Sequence, residues 1–277
     1  MELLGPHELA HVFAQLTDPA DMARARAVCR QWRDTMSPPH IRGNLITNLL
    51  RLAPNKILGI SCLMGSPELA KYAINHGATR FDWGLSIACK GCYKEYSVLD
   101  KRKQKEIVEL LIRCGATDFD IGLQGACERG HKEIAELMIN RGATDFDIGL
   151  YKACERGHKE IVELMISRGA NNFNAGLYCA CERNNKELVD LMISHGATNF
   201  DWGLDGACKG NHMEMVDFMI KLGATKFTCG ICGACRGGHI EMAKFMISLG
   251  ATVSADCYRC SYSDVCGDFI KANQLIF

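Results

Sequence analysis

A chain of 277 residues with 48% apolar content can bury a real core, enough for one small domain and a larger array. Its formal net charge of zero removes any global electrostatic case for nucleic acid or an anionic membrane as partner. No apolar run approaches the ~20 residues of a membrane span, and the opening MELLGPHELAHVF lacks the basic region of a secretory signal.

Residues 1–37 read as a separate unit of two or three helices. Leu9, Val12, Phe13 and Leu16 make one helical stripe, and Thr17, Asp18 and Pro19 interrupt it. Pro19 suits the first turn of the next helix, where Met22, Ala25, Val28 and Cys29 continue the apolar face toward Trp32 and Met36. A bundle this small is marginal alone, so it should dock on a partner or on the rest of the chain. Leu4, Pro6, Glu8, Leu9, Leu16, Asp21 and the run VCRQWR (28–33) resemble an F-box, with Gly5 as a departure between Leu4 and Pro6. The resemblance implies a three-helix surface for the Skp-type adaptor of a cullin ubiquitin ligase. Its contact residues would be Pro6, Leu9, Phe13, Leu16, Val28 and Trp32. The other reading is that these side chains only cap the first repeat of the array.

After the Pro38-Pro39 break, Leu45, Leu49 and Leu52 suggest a linking helix in residues 38–56. A repeat array follows over residues 57–251. A Gly-Ala pair stands at 77, 115, 142, 169, 196, 223 and 250, a step of 27 residues from 115 onward. The first step is 38, so the second repeat carries eleven extra residues, an insertion at about 92–103. A fixed period of this length points to stacked units, seven of them here.

Residues 142–168 show the grammar of one unit. Gly142 ends a helix in the left-handed conformation. Asp147, with Asp82, Asp120, Asn174, Asp201 and Thr228 at equivalent places, is of N-cap type. A first helix is expected over about 148–156, with a break at Gly157 and a second helix over about 158–168. Ile161, Leu164 and Met165 form the apolar stripe of that second helix, so the pair cannot bury its face alone. The phrase ACERGHKEIVELMISRGA (153–170) resembles the ankyrin core, and the match recurs over about two-thirds of the chain. An ankyrin unit has about 33 residues. The shorter period, and the lack of any proline after Pro67, imply an all-α, ankyrin-like solenoid of helix pairs without β-hairpin fingers.

Several side chains recur in register. Of the sixteen cysteines, Cys62, Cys89, Cys127, Cys154, Cys181, Cys208 and Cys235 take one position at the end of the first helix, as small buried hydrophobes. Such a row suits a reducing compartment. Phe81, Phe119, Phe146, Phe173, Phe200 and Phe227 form a second row, and Met138, Met165, Met192, Met219 and Met246 a third, both read as core. His131, His158, His212 and His239 follow the turn glycine, where the resemblance implies an ordering role and not a catalytic one. Lys101, Arg102, Lys103 and Lys105 in the insertion read as a solvated loop or as a localisation or phosphate-binding element.

The positions that vary between units carry the partner-facing expectation. In ankyrin-like arrays the first helices line the concave face. Trp83, Tyr151, Lys152, Arg156, Tyr178, Arg183 and Trp202 are therefore the target-binding candidates, of residue types enriched at hot spots. The Glu-Arg pairs ending several first helices fit binding or plain solvation equally. Residues 252–277 lose the repeat and read as a C-terminal cap. Its Cys257, Cys260 and Cys266 are one ligand short of a four-cysteine zinc site, so no metal is expected.

The two resemblances together imply a substrate-recruiting adaptor of a cullin-type (SCF-like) ubiquitin ligase. The F-box-like unit would dock the Skp-type adaptor, and the solenoid would hold an unknown target protein. The combination resembles proteins of large DNA viruses that redirect host ligases. The alternative is an interaction scaffold with no ubiquitin role. An enzyme is the third reading, since no nucleophile–base pair, phosphate loop or metal cage stands above the repeat background. The expected chain has no cofactor and binds neither nucleic acid nor membrane. It is a monomer outside the complex and resides in the cytoplasm or nucleus, of a host cell if viral.

Overall fold

The computed structural model describes residues 52–90 and 101–252. The F-box-like unit, most of the linking segment, residues 92–100 of the insertion and the C-terminal cap from 253 lie outside the described residues. Among the described residues every regular element is an α-helix, fourteen in all. They form seven pairs: α1 (Pro54–Met64) with α2 (Pro67–Asn75), α3 (Phe81–Lys90) with α4 (Lys101–Arg113), and α5 (Phe119–Arg129) with α6 (Lys132–Asn140). Then follow α7 (Phe146–Arg156) with α8 (Lys159–Ser167), α9 (Phe173–Glu182) with α10 (Lys186–Ser194), α11 (Phe200–Lys209) with α12 (Met213–Lys221), and α13 (Phe227–Gly237) with α14 (Ile240–Ser248). The chain divides into two compact units, residues 1–144 and 145–277. Within each, the first helices of successive repeats pack side by side, α1–α3–α5 in one and α7–α9–α11–α13 in the other. Each unit is thus a solenoid stack of helix pairs.

The local grammar is as expected at the helix C-terminal ends. Gly142 takes φ +107°, and the Gly-Ala glycines at 77, 115, 169, 196, 223 and 250 share that left-handed conformation. The turn between paired helices needs it too. Gly130, Gly157 and Gly238 supply it, and Asn184 and Asn211 replace glycine at φ 55° and 60°.

The N-cap expectation is corrected. From α3 onward the first helices begin at the phenylalanine, so the cap falls two residues before the predicted one. Asp118, Asn172 and Asn199 accept from the backbone N–H of Ile121, Ala175 and Trp202 at 3.0, 3.3 and 3.1 Å. Asp147 is the second helical residue and serves the neighbouring repeat. Its Oδ1 accepts from the N–H groups of Asn171 (2.7 Å) and Asn172 (2.9 Å) in the next interhelical segment. Asn55, Asp82, Asn174 and Asp201 do the same for the pairs 79–80, 117–118, 198–199 and 225–226. Side chains tilt toward the helix N-terminus, which aims them sideways at that segment. A side-chain clamp therefore secures each short link, such as the five residues 168–172, where no β-finger exists.

Within each unit the core runs as rows. Leu85, Leu123, Leu150, Leu177 and Leu204 are buried, as is the whole cysteine row from Cys62 to Cys235. Burial pushes the thiols of Cys62, Cys127, Cys154 and Cys208 up to about 12, the behaviour of inert packing groups. Met138, Met165, Met192, Met219 and Met246, the row on the second helices, are buried, each contributing roughly 1.5–3 kcal/mol. Cysteine and methionine rows interlock between repeats: Cys89 Sγ lies 3.9 Å from Met138 Sδ, and Cys181 Sγ 3.7 Å from Met219 Sδ. A Cβ on Gly122 would stand 2.5 Å from Met138 Sδ, so glycine there makes room for the row. The phenylalanine row is only half-buried, at the solvent margin of each first helix, which corrects its reading as core.

Candidate protein-binding surface

The F-box-like candidates Pro6, Leu9, Phe13, Leu16, Val28 and Trp32 lie outside the described residues. The seven target-binding candidates do not. Trp83, in the first unit, is half-buried, and its ring occupies the space that a side chain on Gly59 would need. The Arg80 guanidinium sits 5.2 Å from that ring. Much of Trp83 is therefore committed to packing α3 on α1.

The other six lie on the first helices of the second unit. On α7, Tyr151 and Lys152 are half-buried and in contact, with Lys152 Nζ 5.4 Å from the ring centroid. Lys152 also pairs with Glu155 at 3.2 Å. Burial, and next the neighbouring Cys179, raise the Tyr151 hydroxyl above its usual range. Arg156 and Arg183 are exposed at the ends of α7 and α9.

Tyr178 differs from expectation. It is 5% exposed and lies beneath the surface instead of projecting from it. The cause is nonlocal. Gly206 lets α11 approach α9 so closely that a Cβ there would collide with the Tyr178 carbonyl oxygen. Trp202 then lies across the Tyr178 ring at 5.7 Å and 35°, while remaining 37% exposed itself. Lys209 Nζ and Arg236 Cζ approach the same ring at 5.7 and 5.9 Å, as cation–π partners.

Four residues outside the candidate set complete this cluster. Arg236 donates from one guanidinium nitrogen to both oxygens of Asp205, which is buried on α11. Lys209 pairs with Glu182 at 2.9 Å. Burial raises the Asp205 carboxyl above its usual range, and the Arg236 contact opposes this. Burial is the largest single influence on Lys209 and pulls it down, but Glu182 and Tyr178 together leave it raised. The signal was present in the sequence, where Asp205-Gly206 replaces the Tyr-Lys and Tyr-Cys pairs of the preceding repeats. An acid inside a packed helix face implies a cation from the next repeat, and Arg236 stands where glutamate stands in repeats four and five.

His212 Nε2 donates to the Glu182 carbonyl oxygen at 3.1 Å, tying one turn to the preceding repeat. That is an ordering role. No cluster of three or more His, Cys, Asp or Glu side chains that could hold a metal occurs among the described residues. No described helix is long and apolar enough to cross a membrane.

Comparison with known proteins agrees with this architecture. A family model of ankyrin repeats matches in three copies, including residues 123–201 and 150–228. A model of F-box-like domains matches residues 6–41. No curated protein matches. Among solved structures, the human ASB11 ankyrin repeat domain is 16% identical, with 70% of this chain and 97% of that one covered and a TM-score of 0.41. The chain therefore combines an F-box-like domain with ankyrin repeats.

Proposed function

We propose that this chain is a substrate-recruiting adaptor of a cullin-type (SCF-like) ubiquitin ligase. The single observation that carries the proposal is the F-box-like match at residues 6–41 ahead of an ankyrin-repeat array on one chain. Both modules belong to non-catalytic interaction families, which fits a protein that is not an enzyme. The F-box-like residues would hold the Skp-type adaptor and, through it, the cullin. The repeats would hold the target protein, with Tyr151, Lys152, Arg156, Arg183 and Trp202 as the accessible contacts of the second unit. Two binding surfaces on one chain act by effective concentration, converting ubiquitin transfer to the target into an intramolecular event. The chain would be monomeric outside this complex and would work in the cytoplasm or nucleus.

The test is capture from eukaryotic cytosol with the full chain and with its Leu9→Ala/Trp32→Ala variant, blotted for the Skp-type adaptor and cullin. Recovery with the parent and loss in the folded variant is the expected result. Equal recovery, or none with either, would return the chain to an interaction scaffold with no ubiquitin role.

A further inference from the structure

Formal neutrality conceals a layering of charge by depth. In four ion pairs of the first helices, the cation is the more exposed partner. Arg236 is 26% exposed against 12% for Asp205, and Lys209 32% against 19% for Glu182. The order is the same for Lys90 over Glu128, in the first unit, and for Lys152 over Glu155. On the second helices the order reverses. Glu187 is 65% exposed against 44% for its partner Lys159, and Glu241 85% against 54% for Lys244. Lys71 and Glu106 lie near parity. A partner approaching these pairs thus meets ammonium and guanidinium groups before the paired carboxylates. Arg183 adds an exposed guanidinium with no ion pair among the described residues.

The same place carries an apolar anchor. Trp202, Lys209 and Arg236 all lie against the one Tyr178 ring, so the exposed indole and the two outward cations share a single platform. Tyr178 and the close α9–α11 packing support that platform from below, which lowers the side-chain entropy to be lost on binding.

We propose that the Trp202–Tyr178 platform on the first helices of the second unit binds an acidic polypeptide segment, its carboxylates meeting Lys152, Arg183 and Lys209 and an apolar side chain seating on Trp202. This rests on the reading of the repeats as the target-binding part. A polypeptide fits better than a nucleic acid. Phosphate binding draws on a track of unneutralised cations, whereas most cations here are already backed by carboxylates. A peptide supplies isolated charges around an apolar anchor.

The experiment is selection of a random dodecapeptide library on the immobilised full chain. Affinities of enriched peptides are then measured by fluorescence anisotropy, at low and high salt, with a single-stranded oligonucleotide as comparator. Enriched peptides should be acidic with one aliphatic or aromatic residue, and should weaken at high salt. They should lose about fivefold on Arg183→Glu, the upper end for one exposed ion pair, and more than tenfold on Trp202→Ala. Circular dichroism confirms that both variants remain folded. Basic or uncharged peptides, no enrichment, tighter oligonucleotide binding, or indifference to Arg183→Glu would each overturn the proposal. Adaptor capture reads residues 1–37 and not this surface. An acidic selection without adaptor capture would leave this inference standing and remove the ligase role, and the converse would do the reverse.

Discussion

Removing Arg236 tests the account of the buried cluster most directly. Asp205 is buried on α11, where burial raises its carboxyl above the ordinary range and the Arg236 partner opposes that cost. Breaking a fully buried pair costs about 3–5 kcal/mol, because one charge is left uncompensated. The Arg236 side chain is 26% exposed, so water screens part of the interaction. About 2–3 kcal/mol is therefore expected for Arg236→Met, which keeps most of the packing against Tyr178. Adding Asp205→Asn removes the stranded charge and should restore all but ~1 kcal/mol. The pH dependence has a definite sign. The folded chain holds the Asp205 proton to a higher pH than the unfolded chain, whose carboxyl titrates near the ordinary 3.8. The folded state then binds more protons in the window above that value, so its stability falls as pH rises through it. Arg236→Met should widen the window and deepen the fall, and Asp205→Asn should abolish this contribution. Urea unfolding of the full chain, followed by tryptophan fluorescence at mildly acidic and neutral pH, measures both effects. If the double variant is as unstable as Arg236→Met alone, the cost lies in lost packing and the electrostatic account is wrong.

Three further outcomes follow from the geometry. Asp147→Ala should cost about 1–2 kcal/mol, whereas Asp147→Asn should cost under ~0.5, because one oxygen accepts both N–H groups and the amide retains it. Hydrogen exchange at Asn171 and Asn172 reads this locally, and equal loss of protection in both variants would contradict it. Gly176→Ala would drive a methyl into Met192 Sδ and should cost about 1–3 kcal/mol, partly recovered with Met192→Val, as judged by thermal melting. Cys154 and Cys208, buried and pushed up to about 12, should resist alkylation at neutral pH until the chain is unfolded. Mass spectrometry of native and urea-treated protein would show otherwise if they react at the same rate.

The repeat step, the terminating glycines and the cysteine and methionine rows were legible because each depends on contacts that recur identically in every unit. The period alone carries such information. What could not be read depends on contacts between different residues of neighbouring units. Asp147 has the side chain of an N-cap, and nothing local tells whether its acceptor serves its own helix or the next link. The phenylalanine row has core composition, but its ring positions fall at the margin of each helix. Tyr178 was expected at the surface as its repeat-mate Tyr151 was. Its burial is decided 28 residues away, by Gly206, together with Trp202, Lys209 and Arg236. The target-binding candidates do lie on or at the ends of the first helices, while the network around them was not read from the sequence.

The side-chain clamps have a consequence for how such a chain can change in length. Each of the first six repeats carries an acceptor that reaches forward to backbone donors in the link that follows. The joint is the same chemistry wherever it occurs, with aspartate and asparagine interchangeable in it. A copy gained or lost by unequal recombination in whole 27-residue steps would therefore present matching ends on both sides. The joints would register no error, and selection would be left to act on the lateral positions alone. An array built in this way can alter what it holds by counting, before it alters a single contact by substitution.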